Sequence, residues 1–388
     1  MLKRLPPLAL LTLLTALGLG CGDNITIDAQ PDAGDNETFD FNLPPGFPVP
    51  VVPEDNPMSE AKVELGRHLF YDTRLSGNET QACATCHAQD LAFSEPLAVS
   101  MGSTGDFTPR NSMSLTNVAY NSTYTWVNPN LLTLETQIPI PMFGEIPTEL
   151  GLSGLEDELF ERLRTSTVYP PLFAAAYPDE ADPYSTRNIV FAIASFVRTM
   201  ISGNSPYDRF VYADEQDAIT ESARRGSEMF FTEKVECFHC HGGFNFSAAV
   251  NFVGLELPEI GFFNTGLYDI DGNGSYPAEN PGLVEFTGMR RDDGKFRAPT
   301  LRNIRKTPPY LHDGTAETLE DVIDIYAAGG RNVTEGPNVG DGRFNIKKDG
   351  FVRGFVLTAQ ERADLIAFLD SLTDDEFLND PKFANPFE

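Results

Sequence analysis

The chain has 388 residues, and its 57 Asp and Glu residues against 28 Lys and Arg residues give a formal net charge of −29 at pH 7. So acidic a chain is disfavoured as a binder of nucleic acid or of an anionic membrane surface, and a partner steered by charge would be basic. The length allows two or three domains whose cores are large enough to enclose cofactors.

The first segment resembles an export signal. Two basic residues precede an apolar stretch over residues 8–19, which is short for a membrane span. Cys21 follows in a position that resembles the acylated cysteine of bacterial lipoproteins, although Gly18 departs from the leucine usual in that motif. Gly22 stands where an aspartate would retain the protein at the inner membrane. We therefore predict a lipoprotein-type signal peptide over residues 1–20 and a lipid anchor at Cys21, on the periplasmic side of the outer membrane.

Two further segments lack helical periodicity. Residues 21–57 contain many Asp, Asn and Pro residues, which predicts a flexible tether. Residues 242–296 are rich in Gly, Asn and Pro, which suits loops over an active site or an interface better than a third core.

The remaining sequence contains an internal repeat. A Gly-x-x-apolar-Phe pattern on a predicted helix occurs at residues 66–70 and again at residues 226–230. A later amphipathic helix also recurs, at residues 193–200 and 365–372, with apolar residues in matching positions. The second of these helices is preceded by a capping box at residues 358–361.

Each half of the repeat contains a Cys-x-x-Cys-His motif. Covalent attachment of c-type haem requires two thiols spaced to reach both vinyl groups, and an imidazole that the same turn places against the iron. The alternatives are a zinc site made from the four cysteines, two thioredoxin-like dithiols, or disulfides. Histidine accounts for only 5 of 388 residues, so its presence directly after both motifs favours haem. The predicted attachment cysteines and iron ligands are Cys83, Cys86 and His87 for the first haem and Cys237, Cys240 and His241 for the second.

We therefore predict a mainly α fold of two tandem cytochrome-c-like haem domains with long loop insertions. The N-terminal domain spans residues 58–205 and the C-terminal domain spans residues 206–388, each with a helix before its haem motif and a closing helix after it. His239, inside the second motif, has no predicted role.

From about Asn56 to Thr373 the chain resembles the bacterial di-haem cytochrome c peroxidases and their relative MauG. Within that superfamily, residues 264–277 look like the MbnH branch, whose members oxidise tryptophan on a partner copper-binding protein. The motifs that carry the resemblance occur in order at residues 65–72, 83–87 and 110–112, at Trp126, Gln137 and Glu149, and at residues 237–241, 296–303 and 307–314.

The resemblance implies that the His87 haem reacts with hydrogen peroxide. In many di-haem peroxidases a histidine shortly after the first motif blocks this iron, but no histidine occurs over residues 88–238, so we expect an open, five-coordinate iron. The resemblance makes Gln137 and Glu149 the distal pair that moves protons during peroxide cleavage. Their spacing is two residues longer than is usual in the family, so Glu145 is an alternative to Glu149.

The sixth ligand of the second haem decides its chemistry. Peroxidases of the ordinary type use a methionine here, which raises the reduction potential. In this chain the segment 318–325 leads to Tyr326 at that methionine's position. A tyrosinate is a hard anionic donor that lowers the potential, and MauG has the same arrangement. The alternative is that Tyr326 is a packed aromatic residue and that Met289 is the ligand.

Trp126 is the only tryptophan in the chain. It matches the tryptophan that lies between the two haems of the family, where it would transfer oxidising equivalents from one iron to the other. Packing in a core is the alternative role.

Asn117, Thr307 and Pro309 match the positions that hold a calcium ion between the haem domains of the family, and calcium prefers such oxygen ligands. Residues 269–274 also open like a calcium-binding loop. Because Glu279 lies at the eleventh position of that loop instead of the twelfth, a turn is favoured there over a second calcium site.

The sequence as a whole predicts an oxidoreductase that reacts with hydrogen peroxide and oxidises a partner protein in the periplasm, at a tryptophan of a metal-binding protein. One alternative is a cytochrome c peroxidase that takes electrons from a small cytochrome or cupredoxin. The other is a di-haem electron carrier without catalytic activity, in which Gln137 and Glu149 would have no distal role.

Overall fold

The computed structural model describes residues 39–388. The predicted signal peptide, the lipid anchor at Cys21 and the first part of the predicted tether lie outside the described residues. Among residues 39–388, no helix is both long enough and apolar enough to cross a membrane.

Helices dominate the structure and strands are few, in agreement with the predicted mainly α fold. The α-helices are α1 (Glu60–Tyr71), α2 (Cys83–Cys86), α3 (Leu134–Gln137), α4 (Pro139–Phe143), α5 (Glu156–Arg164), α6 (Tyr169–Ala176), α7 (Thr186–Arg198), α8 (Pro206–Tyr212), α9 (Glu221–Phe230), α10 (Val284–Thr287), α11 (Leu319–Ala327), α12 (Ala359–Asp370) and α13 (Asp375–Asn379). Single-turn 3₁₀ helices lie at Thr73–Leu75, Gln89–Leu91, Val118–Tyr120, Cys237–His239, Arg290–Asp292, Ile304–Lys306 and Gly342–Phe344.

Two antiparallel pairs of short strands complete the fold. Strand β1 (Phe262–Phe263) pairs with β2 (Phe296–Arg297), and β3 (Asn332–Val333) pairs with β4 (Gly340–Asp341). Apart from β1 and β2, α10 and a 3₁₀ turn, the stretch predicted to form loops, residues 242–296, has no regular secondary structure.

Several of the helices begin where a side chain satisfies a free backbone N–H group. Ser59 Oγ accepts from Lys62 N at the start of α1, and Thr358 Oγ1 accepts from Glu361 N at the start of α12. The Glu361 carboxylate also accepts from Thr358 N, which confirms the capping box predicted at this position.

The repeat is visible in the packing of two helix pairs. Helix α1 packs on α7, and α9 packs on α12. A Cβ atom at Gly66 would lie 1.9 Å from the carbonyl oxygen of Ala192, and a Cβ atom at Gly226 would lie 1.9 Å from that of Asp364. Each pair therefore crosses at a glycine that lets the two backbones touch. The shared Gly-x-x-apolar-Phe pattern has a packing cause.

Two hydrophobic clusters surround these helix pairs. The first contains Phe70 and Phe196, and the second contains Phe230 and Phe368. Phe377 and Phe383, near the C-terminus, pack in the first cluster and not in the second. The C-terminal segment thus returns to the N-terminal half, which the predicted domain bounds of 58–205 and 206–388 did not foresee.

The described part of the predicted tether is packed on the body of the protein. Residues 39–57 have no helix or strand, but Phe47 and Asn56 are buried and Tyr120 Oη donates to the carbonyl oxygen of Pro48 at 2.8 Å. The prediction of a flexible tether that extends to residue 57 is therefore wrong for this segment, because its apolar residues and its buried asparagine make specific contacts.

Candidate haem and redox site

The first Cys-x-x-Cys-His motif lies on α2 and the turn after it. The Nδ1 atom of His87 lies 2.8 Å from the carbonyl oxygen of Phe93. Because a carbonyl oxygen only accepts hydrogen bonds, Nδ1 carries the proton and Nε2 keeps the lone pair that can bind iron. Burial lowers the pKa of His87, so the imidazole is neutral, and burial raises the pKa of the Cys83 and Cys86 thiols to about 12.

The second motif repeats this arrangement. The Nδ1 atom of His241 lies 3.1 Å from the carbonyl oxygens of both Phe246 and Pro299, and burial lowers its pKa. The two histidines are therefore oriented and held neutral in the same way, as iron ligands require.

Two of the other chemical explanations of the four cysteines, the disulfides and the zinc site, do not fit the geometry. The described cysteines Cys83, Cys86, Cys237 and Cys240 are all free, so no disulfide joins them. Within residues 39–388, the one group of three or more metal-binding side chains that lie close together is Glu233, Glu236 and His239, without a cysteine. Pooling of the four cysteines in a zinc site is therefore excluded in the described structure.

A large cavity opens beside the second motif. Its volume is about 1340 Å³, including the part open to solvent, and apolar and aromatic side chains dominate its walls. Such a cavity next to two thiols and a neutral imidazole fits a covalently attached porphyrin. The lining residues that bear on chemistry are Cys237, Cys240, His241, Trp126, His312 and Tyr326.

Tyr326 and Met289, the two candidate sixth ligands, lie in different places. Tyr326 is on α11 and lines the second cavity with His241. Burial, and then the nearby Cys240 and Cys237, raises its pKa above the ordinary range of tyrosine. Met289 is 49% exposed beside α10, and its sulfur accepts from the Arg291 guanidinium at 3.3 Å. These positions therefore favour Tyr326 over Met289 as the sixth ligand of the second haem.

Trp126 lies on the wall that the second cavity shares with a smaller neighbouring cavity. Its Nε1 donates to the carbonyl oxygen of Asn111 at 2.8 Å, and its own carbonyl oxygen accepts from Arg297 N at 2.8 Å. These bonds fix the indole at the edge of the haem cavity.

The smaller cavity bears on the predicted calcium site. Thr307 and Pro309 line it, together with Asn111 and Asn121. Asn117 does not: its Oδ1 accepts from Ser202 N at 2.7 Å, and its Nδ2 donates to the Ser202 carbonyl oxygen at 3.0 Å and to the Asn245 side chain at 3.1 Å. This geometry gives no support to Asn117 as a calcium ligand, because the residue does not line the cavity and its side chain is bonded to Ser202 and Asn245, and the assignment stays a prediction.

A cation in the smaller cavity would instead meet the amide oxygens of Asn111 or Asn121 beside the segment that carries Thr307 and Pro309. These oxygen donors fit a hard ion such as calcium. Asn111 belongs to the motif at residues 110–112. The sequence alone could not show which of the three nearby asparagines, at positions 111, 117 and 121, faces the cavity.

The segment 269–274 forms a hydrogen-bonded turn. Asp269 Oδ1 accepts from Gly274 N at 2.8 Å, and Asp271 Oδ1 accepts from Asn273 N at 2.8 Å. Hydrogen bonds from Ser275 and Asn273 hold the pKa of Asp271 at about 2. The carboxylates that would open a calcium loop thus cap the turn itself, which supports the turn interpretation.

The predicted distal residues come from adjacent segments. Gln137 ends α3, directly before α4, and the chain just after Glu149 pairs with α4 through Leu150 N and the carbonyl oxygen of Pro141, 2.9 Å apart. Burial, and then the charge of Glu95, raises the pKa of Glu149. Glu145 is exposed, and its carboxylate accepts from Ser153 Oγ at 2.8 Å. The structure therefore favours Glu149 over Glu145.

Glu95 and His312 are two candidate functional residues that sequence reasoning missed. Glu95 is buried and accepts a hydrogen bond from Ser100 Oγ, and burial raises its pKa. His312 is buried in the wall of the second cavity, stacks on Phe296 with ring centroids 3.6 Å apart, and has no partner for Nε2 among the described residues. Burial lowers its pKa to about 4. The sequence pointed to these two residues only through their positions. Glu95 follows the first Cys-x-x-Cys-His motif closely, and His312 lies in the motif at residues 307–314.

The fold and the two equivalent haem-binding motifs define a di-haem c-type cytochrome. A family model described as di-haem cytochrome c peroxidase matches residues 60–216. The cytochrome-c peroxidase IdrP1 of Pseudomonas sp. (strain SCT) is 32% identical over 364 residues, which cover 89% of this chain and 90% of that protein. The chain therefore belongs to the di-haem cytochrome c peroxidase family and is an oxidoreductase with two haems.

MauG proteins are similar to the chain as well. The methylamine utilization protein MauG of Methylorubrum extorquens is 33% identical over 332 residues, covering 86% of this chain and 83% of that protein. The crystal structure of a MauG-like protein associated with microbial copper homeostasis superposes with a TM-score of 0.88 at 48% identity, covering 90% of this chain and 100% of that chain. The predicted superfamily is confirmed, and the predicted MbnH-like branch is consistent with this neighbour.

Proposed function

We propose that the protein uses hydrogen peroxide to oxidise a side chain of a partner protein, a tryptophan of a periplasmic copper-binding protein. The observation that carries this proposal is the position of Tyr326, which lines the second haem cavity beside His241 while Met289 lies on the surface. The 48% identity to a MauG-like protein associated with microbial copper homeostasis supports a partner of the copper-binding class.

The bound haems would supply the reaction with peroxide and hold its oxidising equivalents. His87 and His241 would bind the two irons through Nε2, because their Nδ1 atoms are already held by backbone carbonyls. The phenolate oxygen of Tyr326 would be a hard ligand that lowers the potential of the second haem. A haem of low potential is a poor acceptor for electrons from a small cytochrome, which favours a different source of electrons, the partner protein.

Glu149 would move the proton that peroxide cleavage requires. It would take one proton from hydrogen peroxide and return it to the oxygen that leaves as water. Its raised pKa brings the carboxyl group closer to the range in which it can both accept and donate a proton near neutral pH. Gln137 would orient the peroxide by hydrogen bonding.

Trp126 would connect the two haems. Its indole is fixed by the Asn111 carbonyl on the wall of the second cavity, and the resemblance of the sequence to the family implies a tryptophan between the haems. A calcium ion in the cavity that Thr307 and Pro309 line would lie next to this indole and would stabilise the junction.

The proposal predicts covalent modification of a partner. Stoichiometric peroxide, added to the diferric holoprotein with the purified product of the adjacent gene, should give that product the mass of an oxygen adduct or of a tryptophan converted to kynurenine. The variant Trp126→Phe should keep both haems and give a lower yield. Mass spectrometry of the partner is the measurement.

The ordinary peroxidase activity is the competing function, because curated relatives such as IdrP1 carry that name. An unmodified partner, together with rapid peroxide turnover when a reduced cytochrome is supplied, would establish it and reject the proposal. A spectrum that peroxide leaves unchanged would instead identify a plain electron carrier.

We also propose that the protein is exported and anchored by Cys21. Replacing Cys21 by serine should abolish labelling by radioactive palmitate and move the protein from the membrane fraction to the soluble periplasmic fraction, with both haems still attached. A variant that remains in the membrane fraction would contradict the anchor.

A further inference from the structure

A row of conjugated rings leads away from the second haem cavity. The ring centroids of Trp126 and His312 are 6.4 Å apart, those of His312 and Tyr276 are 6.3 Å apart, and those of Tyr276 and Tyr268 are 5.4 Å apart. Trp126 and His312 line the cavity, and Phe296 stacks on His312. Each ring thus touches or nearly touches the next, and the proposed function uses only the first of them.

The row ends at a tyrosine that is bonded to a carboxylate. Tyr268 Oη donates to Asp313 Oδ2 at 2.7 Å. The Arg331 guanidinium donates to the same oxygen at 3.0 Å and lies over the Tyr268 ring, 4.4 Å from its centroid. Thr315 Oγ1 donates to the other carboxylate oxygen at 2.7 Å. Thr315 N donates to that second oxygen as well, so four donors from three residues hold the carboxylate in place, and one of them is the phenol.

The protonation states suit a transfer from the phenol to the carboxylate. Burial alone would raise the pKa of Asp313, but His312, Arg331 and the hydrogen bonds together hold it below its usual range. Burial, and then Asp313, raises the pKa of Tyr268 to about 12. At neutral pH the pair therefore consists of an intact phenol and an ionised acceptor.

Tyr276, one step nearer the cavity, lacks such an acceptor. Its hydroxyl donates to the side-chain oxygen of Asn264 at 2.9 Å and accepts from Leu267 N at 2.9 Å. An oxidised phenol is a strong acid, and a carboxylate is a strong enough base to take its proton, whereas a neutral amide oxygen is a much weaker base. Oxidation of a phenol becomes favourable when its proton leaves with the electron, so Tyr268 is the better oxidation site of the two.

We propose that Tyr268 is a redox-active residue that passes an electron along this row toward the second haem and its proton to Asp313. The O–H bond of Tyr268 breaks, Asp313 becomes a carboxylic acid, and the product is a neutral tyrosyl radical. This inference rests on the proposed function, because hydrogen peroxide is the oxidant.

The electrons and protons balance over two turns. One peroxide molecule takes up two electrons and two protons and leaves as two water molecules. In each turn Tyr268 delivers one electron, a partner side chain returns one electron to the radical, and Asp313 returns the proton to Tyr268. The two protons that peroxide consumes are those that the partner side chain releases when it loses two electrons and gains an oxygen atom from water. Two turns therefore account for one peroxide.

The position of Tyr268 suits the exit of oxidising equivalents. The carbonyl oxygen of Tyr268 accepts a hydrogen bond from Asn345 Nδ2 at 2.7 Å. Phe344 and Ile346, which flank Asn345 in the sequence, are each 74% exposed. The row thus begins at the cavity wall with Trp126 and ends below the protein surface.

The test is freeze-quench electron paramagnetic resonance of the full holoprotein after addition of one equivalent of hydrogen peroxide. The wild-type protein should give a tyrosyl radical signal that narrows when the tyrosines carry ring deuterium. The signal should be lost in Tyr268→Phe and in Asp313→Asn.

Tyr169 provides a matched control. Its Oη donates to Asp72 at 2.5 Å, and Arg74 pairs with that carboxylate at 2.7 Å, but Tyr169 lines neither of the two described cavities. Tyr169→Phe should keep the radical. Both phenylalanine variants leave the carboxylate paired with its arginine, so resting haem spectra equal to that of the wild type should show that they fold.

The outcomes separate the inference from the function on which it rests. Suppose that the haem absorbance responds to peroxide in all variants and that Tyr268→Phe keeps the radical signal unchanged. This result would overturn the role of Tyr268 and leave the proposed function standing. Wild-type haems that do not respond to peroxide would overturn both.

Discussion

Replacement of Tyr326 by methionine should convert the second haem to a site of higher reduction potential while both haems remain attached. Tyr326 lines the same cavity as His241, and the attachment cysteines Cys237 and Cys240 are untouched by the change. A neutral thioether stabilises the ferric state less than a phenolate does, so the midpoint potential should rise by at least about 100 mV, equivalent to about 2.3 kcal/mol per electron. Spectroelectrochemical titration measures this shift.

The same variant should lose protein oxidation and gain ordinary peroxidase turnover with a reduced small cytochrome. Tyr326→Phe removes the oxygen without offering a new ligand, and it should lower partner oxidation without the gain in turnover. Tyr310→Phe is the matched control, because Tyr310 lines the same cavity but lies outside α11. Spectra and potentials of Tyr326→Met that equal those of the wild type would show that Tyr326 is no ligand.

The haem-binding residues could be predicted from the sequence because covalent chemistry fixes their spacing. Two thiols and an imidazole must occupy one turn, so the motifs at residues 83–87 and 237–241 are recognisable from the sequence alone. The two helix pairs could be predicted for a similar reason. Glycine is required at positions 66 and 226, where two helix backbones touch, and this requirement produces a repeated sequence pattern.

Residues that act through tertiary placement were harder to predict. Asn111, Asn117 and Asn121 lie within eleven residues, and only the fold shows that the first and third face the cavity while the second is bonded to Ser202. His312 carried no local signal for its burial beside Trp126.

Segments that cross between the two halves were also missed. Phe377 and Phe383 belong to the sequence of the second half but fill the first cluster, where both lie near Phe93, with ring centroids 5.7 and 6.1 Å away. Periodicity reports that a residue is apolar and on which face of a helix it lies, but not which core it enters.

The two halves share their helix packing yet differ in chemistry. Two acidic residues, Glu95 and Glu149, influence the first motif, and each raises the pKa of a cysteine in it. The second cavity has aromatic and phenolic walls with Trp126 and Tyr326. One half is therefore suited to moving protons and the other to moving electrons, as the proposed function requires.

Replacement of Glu149 by glutamine should slow the reaction of the diferric protein with peroxide by about 10²- to 10⁴-fold, the usual contribution of a general acid–base group. Glutamine keeps the size of the side chain but cannot take up a proton. Glu145→Gln is the matched control, since Glu145 is exposed and bonded to Ser153, and it should react like the wild type. Stopped-flow absorbance of the haems gives the rate constant.

The pH profile of this reaction distinguishes proton transfer from a structural role. Glu149 must be ionised to accept the peroxide proton, so the rate constant should fall as the pH drops through its pKa. Because burial and Glu95 raise that pKa, the fall should begin above the usual glutamate value of about 4.3. Glu149→Gln should be slow at every pH and should lack this inflection. A glutamine variant that reacts within a few-fold of the wild type would remove Glu149 from the mechanism, whereas loss of the inflection together with the rate would identify it as the base.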